Sequence, residues 1–376
     1  MPDPRALSAH RRAVVSRCLS ALAVAGLLWS SSTLHGETSL RVLDFNLHRD
    51  LGGTDSNKSS QPALAKVVNY LDPDVWTINE LGGNDASFNA SFARSDLIRF
   101  VEENLTIFGT NPQEGADFFV HIGTIVDGFI TNAIVSRYPL LAARTYSDAG
   151  NGFNALRGLE MVFVDLPGAS DLGVFTAHLK AFNATSDAEK RQAEANVDSA
   201  NVADWLQGHP SAGAVLTGDW NETEDTGEIA NWNAHKIGDP LPNTGESYHP
   251  IATMKSAGLV DAAPASITGD RDTISSTSPT SRFDYMLYTP GRLSLTGGMV
   301  FDTRQYSTAQ LAALNAANGT NFVAGDSMSA SDHLPVLAIF QVVPEPCAIA
   351  LIGLGIICMT SRAPMRRPRD RLRSIE

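Results

Sequence analysis

Along residues 40–342, short runs of β-branched, aliphatic and aromatic residues recur between polar and turn-forming positions, and few stretches carry the wider spacing of a helix. Runs at 40–47, 75–79, 131–136, 160–166, 173–178, 214–217, 283–288 and 336–342 predict strands. Helices are predicted at 63–71, 94–103 and 187–207. The last is the clearest: Ser186 or Asp187 caps it, and Ala188, Ala195, Val202 and Leu206 recur at helical spacing. Strands outnumber helices, so a layered α/β sandwich fits better than a doubly wound sheet. No internal repeat or low-complexity segment divides the stretch, whose length suits one large α/β domain.

Composition narrows the class. The chain has 376 residues, 43% of them hydrophobic, and a formal net charge of −13, which suits a globular protein and excludes disorder or a polytopic membrane protein. Cys18, Cys347 and Cys358 all sit in apolar stretches near the ends. The central chain therefore offers no thiol nucleophile, disulfide scaffold or Cys-ligated metal.

The two ends read as addresses. Arg11, Arg12 and Arg17 precede an apolar run at 19–29, and small and polar residues lead on to Gly36. That is the order of a secretory signal, so residues 1–36 are expected to be removed. At the other end Val343-Pro344-Glu345-Pro346 precedes an uncharged stretch, 347–361, and then Arg362, Arg366, Arg367, Arg369, Arg371 and Arg373. The stretch falls short of the roughly 20 residues of a full span, and the basic cluster fixes its end on the cytoplasmic side. Residues 343–376 resemble the PEP-CTERM sorting signals of Gram-negative bacteria, which implies an exosortase-type processing partner and a transient membrane contact. The alternative is an ordinary tail anchor. Either reading puts 37–342 outside the cytoplasmic membrane, at the cell surface or in the extracellular matrix, and a monomer is expected. Each end carries a net +3, which leaves −19 for the interior. Nucleic-acid contact would then need a local basic patch or bound divalent cations.

Chemically capable residues gather at strand ends. Asn46 closes the first predicted strand, Glu80 the second, and His178 the run beginning at Val174. Asp219 and Asn221 follow Val215-Leu216-Thr217-Gly218, Asp284 opens a strand, and Ser331-Asp332-His333 leads into the last one. An ionisable group at the tip of a buried strand is held rigidly at the sheet rim, where a site can be preorganised. Together these residues resemble the endonuclease/exonuclease/phosphatase superfamily, a four-layer αββα sandwich of two packed mixed sheets flanked by helices. The boxes that carry the resemblance are Asn46, Glu80, Gly218-Asp219-Trp220-Asn221, Arg282-Phe283-Asp284-Tyr285 and Ser331-Asp332-His333-Leu334-Pro335, with 131–139 as the central strand. Asn79 stands where the family usually has Gln, and Trp220 where it has Phe.

The resemblance implies a metal-dependent phosphoesterase. Glu80 would be the main ligand, with Asn46 and Asp332 completing the shell, and this oxygen set favours Mg²⁺ or Mn²⁺. His333 would take a proton from water, oriented by Asp284. His178 would assist the phosphate or the leaving oxygen, Asp219 and Asn221 would orient the nucleophile and bind a phosphoryl oxygen, and Arg157 would contact phosphate. A nuclease is the first expectation. A sphingomyelinase or an inositol-phosphate phosphoesterase is the alternative, with Phe118-Phe119 and Tyr248 as candidate lipid contacts and Phe118-Phe119 the better fit to a core strand. A catalytically silent binding module would have shown degenerate positions at Glu80 or His333, and neither is degenerate. His48 reads as a solvent-exposed loop residue and His121 as a satisfied core histidine. His235 and His249 lie in a Gly/Pro-rich stretch of open role.

Overall fold

Alternation along β1 (Thr38–Asn46) sets the layers. Leu43 and Phe45 face a cluster with Trp76, Ile78 and the helices α1 (Gln61–Leu71) and α2 (Ala90–Asn104). Leu40 and Val42 face the other way, into a cluster with Val162, Val174, Val215 and Met286 of a second sheet. The far side of that sheet packs Phe175, Leu216 and Tyr285 against α3 (Thr185–Gly208) and α4 (Pro250–Lys255). The result is the expected four-layer αββα sandwich. This computed structural model describes residues 38–53, 59–82, 89–125, 127–147, 157–182, 184–223, 238–274 and 281–343. The expected export signal, the sorting tail and His235 lie outside the described residues. Among the described residues no helix is long and apolar enough to cross a membrane.

The remaining strands are β2 (Val75–Gly82), β3 (Phe119–Ile122), β4 (Ile130–Ser136), β5 (Leu140–Tyr146), β6 (Leu159–Val164), β7 (Leu172–Thr176), β8 (Gly213–Asp219), β9 (Val260–Asp261), β10 (Asp284–Tyr288), β11 (Leu293–Val300) and β12 (Val336–Val342). One sheet runs β11-β12-β1-β2-β4-β3 and the other β5-β6-β7-β8-β10-β9. Each holds one parallel pair, β1 with β2 and β7 with β8, and antiparallel neighbours elsewhere. A parallel pair needs a crossover, and α1 and α3 supply them. The two sheets thus repeat one topology, although the sequence shows no repeat. Alternation that many different residues satisfy is enough to build each strand.

That topology brings the ends of β1, β2, β7 and β8 and the starts of β4, β10 and β12 to one edge. On the facing sides of the sheets the residues grade from apolar to polar toward that edge: Val42, Asp44 and Asn46; Val75, Thr77 and Asn79; Val174, Thr176 and His178; Val215, Thr217 and Asp219. The middle step is a hydrogen-bonded layer. The Thr217 hydroxyl donates to Thr77 Oγ1 at 2.8 Å, and Thr77 donates to Asp44 Oδ1 at 2.8 Å. Asn79 Nδ2 donates to Thr176 Oγ1 at 3.1 Å and to Asn132 Oδ1 at 3.0 Å. Buried polar groups are tolerable when paired in this way.

All eight predicted strands and all three predicted helices are present, with ends shifted by a few residues. Strands β3, β5, β9 and β11 and helices α4, α5 (Thr308–Asn318) and α6 (Asp326–Ala330) were not predicted. Most of β5 faces solvent, and β11 spends its alternate positions on Ser294, Thr296 and Gly298. Neither carries the apolar run that marks a buried strand. Helix α3 starts earlier than predicted: Asp187 acts from within the first turn, its Oδ2 accepting from the Ala184 N–H at 3.0 Å.

Candidate active site

Six strands deliver side chains to the polar edge. Strict alternation would send Glu80 to the helix side with Ile78, but the register against β4 shifts between Ile78 and Leu81, and Glu80 adopts a left-handed backbone with φ 56. That bulge turns its carboxylate into the site. Asn46 Nδ2 donates to Asp219 Oδ2 at 3.0 Å and to Glu80 Oε1 at 3.4 Å. Asp219 and Asp284 stand directly opposite each other on antiparallel β8 and β10. Like charges so placed repel, and His333 lies between them, with Nδ1 2.8 Å from Asp284 Oδ2 and Nε2 3.6 Å from Asp219 Oδ2. His178 Nε2 completes the group, 3.5 Å from Asp219 Oδ2 and 3.9 Å from Glu80 Oε1.

Neighbouring backbone fixes these groups. The Ser331 hydroxyl donates to Asn46 O at 2.7 Å and accepts from the His333 N–H at 3.2 Å. Leu334 N donates to Thr273 O at 2.7 Å, which pins the entry to β12. Beneath Asp219, its N–H donates to Asn79 Oδ1 at 2.9 Å.

The electrostatics divide the two imidazoles. For His333, burial alone favours the neutral ring, but the charges of Asp284 and Asp219 and the hydrogen bond the ring donates to Asp284 outweigh it and hold the pKa well above the usual value. His178 goes the other way: burial, then the positive charges of Arg157, His333, Lys180 and Arg49, keep its pKa well below the usual value. Burial, assisted by the charge of Asp284, pushes Asp219 up to about 7 despite the attraction of His333. Groups forced apart in this way are the mark of assigned acid and base roles.

The donor set fits a divalent cation. Ligand atoms of Glu80, His178 and Asp219 lie within 4.8 Å of one another, as do those of Asp219, Asp284 and His333. Glu80 Oε2 and both His178 ring nitrogens are buried with no hydrogen-bond partner among the described residues, a cost that a bound ion or phosphate would relieve.

Several expected residues are placed differently. Asp332 is half exposed, 3.6 Å from His48 Nε2, and belongs to neither cluster: His333 faces inward, so alternation turns its neighbour outward. Asn46 directs its amide nitrogen at the carboxylates while its Oδ1 accepts from the His48 N–H at 2.9 Å, so here it orients the carboxylates as a donor. Asn221 has a left-handed backbone, φ 49; its N–H donates to Asp219 Oδ1 at 2.9 Å, and its Nδ2 donates to Leu179 O at 3.1 Å. It ties two loops together. Arg157 is buried, with Nε on His178 O at 3.0 Å, Nη2 on Leu179 O at 2.8 Å and Nη1 on Asp127 Oδ2 at 3.1 Å. It therefore clamps the loop bearing His178 where a phosphate contact was expected.

Neither Phe118 nor Tyr248 is available to a lipid. Phe118 is core, and the buried Tyr248 hydroxyl meets Arg191 Nε at 2.6 Å and Glu222 Oε2 at 2.5 Å. His121 is satisfied, as expected, by Glu160 at 2.8 Å. Asp44, Arg49 and Asn132 join the expected residues at this edge. Asp44 was visible as a charge within an apolar alternation. Arg49, whose Nε is 3.5 Å from Glu80 Oε2, carried no such signal.

Comparison with known proteins identifies the family and the fold. The model of the Endonuclease/Exonuclease/phosphatase family matches residues 45–333. Among solved structures, an endonuclease/exonuclease/phosphatase from Beutenbergia cavernae is 20% identical, with a TM-score of 0.51 over 82% of this chain and 73% of that one. A family protein from Leptotrichia buccalis is 15% identical, with a TM-score of 0.52 over 81% of this chain and 99% of that one. At these identities the likeness is one of fold. A search of curated proteins gave no match. The family match spans every strand-end residue described above, and the chain belongs to the endonuclease/exonuclease/phosphatase family of hydrolases.

Proposed function

We propose that this chain is an exported, divalent-metal-dependent phosphodiesterase acting on nucleic acid. The observation that carries this reading is the pair of imidazoles, His178 and His333, set either side of Asp219 beside carboxylates that could hold a cation. One ring could activate water while the other assists the leaving oxygen of a diester. With Arg157, Arg49 and Lys180 each paired to a carboxylate and an interior net charge of −19, a bound cation would supply the attraction for phosphate. Glu80 and Asp219 would hold the ion, Mg²⁺ or Mn²⁺. Bound there, it would supply positive charge to the non-bridging and leaving oxygens. His333, with Nδ1 fixed by Asp284, is held protonated by Asp284 and Asp219 and would receive the proton of the attacking water at Nε2 only once a cation offsets that negative charge and the ring is neutral. His178, kept neutral and next to Glu80, would hydrogen-bond the phosphate or the departing oxygen. The ligand roles expected of Asn46 and Asp332 become orienting and rim roles in this scheme.

The test is a panel of plasmid DNA, RNA, sphingomyelin vesicles and a small diester in Mg²⁺ or Mn²⁺. Plasmid nicking is expected, with His178→Ala and His333→Ala each lowering the rate by at least ~10². Rising salt should slow DNA cleavage more than that of the small diester. Hydrolysis of sphingomyelin with no cleavage of DNA or RNA would overturn the nuclease reading.

Export and sorting rest on the sequence of the two ends. On that reading an exosortase-type enzyme removes the tail, and mass spectrometry of protein released by native cells should find a C-terminus near Val343. Surface material that retains Arg366–Arg373 would mean a permanent anchor instead.

A further inference from the structure

From His178 to Phe182 the backbone is tied down by two buried arginines. Arg157 donates to His178 O at 3.0 Å and to Leu179 O at 2.8 Å. Arg191 Nη1 donates to Lys180 O and, at 3.1 Å, to Phe182 O. Glu194 Oε2 accepts from the Lys180 N–H at 2.7 Å. This rigid loop ends in a residue that its surroundings do not explain. Phe182 has a left-handed backbone, φ 76, and is 64% exposed. A bulky residue is strained in that conformation, which glycine adopts freely, and an exposed ring gains little packing in return. The ring is braced by Lys180, whose Nζ lies 4.5 Å from its centroid and 3.3 Å from Asp187 Oδ1. The loop is bonded to the site itself, with Leu179 N donating to Asp219 O at 3.0 Å and Leu179 O accepting from Asn221 Nδ2 at 3.1 Å, which puts the pair beside the catalytic groups. Strain of this kind persists where a ligand makes use of it.

We propose that Phe182 is a stacking platform for an unpaired nucleobase next to the scissile phosphate, so that single-stranded or frayed nucleic acid is preferred over intact duplex. The inference rests on the nuclease reading above. A flat aromatic face held in water by a fixed loop accepts any base, and base–aromatic stacking contributes about 1–3 kcal/mol per base. Inside a duplex both faces of a base are already covered, so the platform can engage only a base that has left the stack. Charge favours this occupant over a membrane. Lys180 lies against the ring and is paired with Asp187, and no other large exposed apolar side chain among the described residues belongs to this loop. A lone ring flanked by ions is poorly suited to enter a lipid interface.

The experiment compares the full-length wild type with Phe182→Ala, Phe182→Trp and Phe182→Gly on a fluorescent single strand, the same sequence as duplex, a small diester and sphingomyelin vesicles. Phe182→Ala should raise KM for the single strand roughly tenfold, with the loss falling on KM rather than kcat, and should shrink the preference for single strand over duplex. Phe182→Trp should restore both. Phe182→Gly relieves the backbone and should melt no lower than wild type, so that its weaker binding cannot be ascribed to misfolding. An unchanged single-strand KM in Phe182→Ala, or an equal loss on single strand, duplex and small diester, would overturn the platform. Loss of vesicle binding with unchanged single-strand KM would assign the ring to lipid instead. If the wild type cleaves the small diester but no nucleic acid, the nuclease reading fails and the platform with it. Single-strand cleavage indifferent to Phe182 removes the platform alone.

Discussion

Asp44 shows how far this protein goes to keep polar groups near its site. Its side chain is fully buried between the sheets, on the face of β1 that also carries Leu40 and Val42. Thr77 donates to Oδ1 at 2.8 Å, while Oδ2 has no partner among the described residues. Burial, and then the charge of Asp284, raise its pKa well above the ordinary carboxylate value. Below the unfolded pKa both states are protonated and Asp44 adds no penalty; as pH rises toward the folded value the unfolded state ionises first and stability falls. Asp44→Asn keeps the acceptor for Thr77 and removes the titration. In EDTA it should therefore melt higher than wild type, by a margin larger at pH 8 than at pH 4, on the order of 1.4 kcal/mol for each unit by which the native pKa was raised. A gain independent of pH would place the effect in packing instead.

At the scale of elements, the site depends on close approaches that only particular residues allow. Gly218, one residue before Asp219, has φ +138, and a Cβ there would lie 1.8 Å from Ala177 O. Strands β7 and β8 thus meet backbone to backbone just where His178 and Asp219 are presented. Gly218→Ala should destabilise the fold by about 3 kcal/mol or more, read from the urea midpoint; a wild-type midpoint would show that the contact is not tight. This approach was legible as the glycine of the Gly218-Asp219-Trp220-Asn221 box, and so were Glu80, Asp284 and both histidines, because each terminates or opens an apolar run. The inward turn of Glu80 was not legible, since a bulge breaks the very alternation used to read a strand. Nor was the burial of Arg157: an arginine before a strand reads alike whether it meets solvent or the carbonyls of a loop distant in sequence. Exposed strands such as β5 and β11 lack the apolar pattern altogether.

On the scale of the whole molecule, two sheets of one topology meet face to face, and each contributes about half of the catalytic groups: Asn46, Glu80 and His333 from one, His178, Asp219 and Asp284 from the other. Neither sheet alone could form the site, so the packing of the sandwich and its chemistry are one problem. Carboxylates that crowd one edge, with Glu80 Oε2 and the His178 nitrogens making no hydrogen bond among the described residues, account for a dependence on a divalent cation better than any single ion pair does. The direct measurement is phosphodiester hydrolysis by wild type and Glu80→Gln after EDTA treatment, as Mg²⁺ or Mn²⁺ is added back. Wild type should be silent without metal and regain full activity on titration, and Glu80→Gln should melt like wild type but recover little activity at limiting metal. Hydrolysis that survives EDTA, or a Glu80→Gln titration that overlays the wild type, would contradict that dependence on metal.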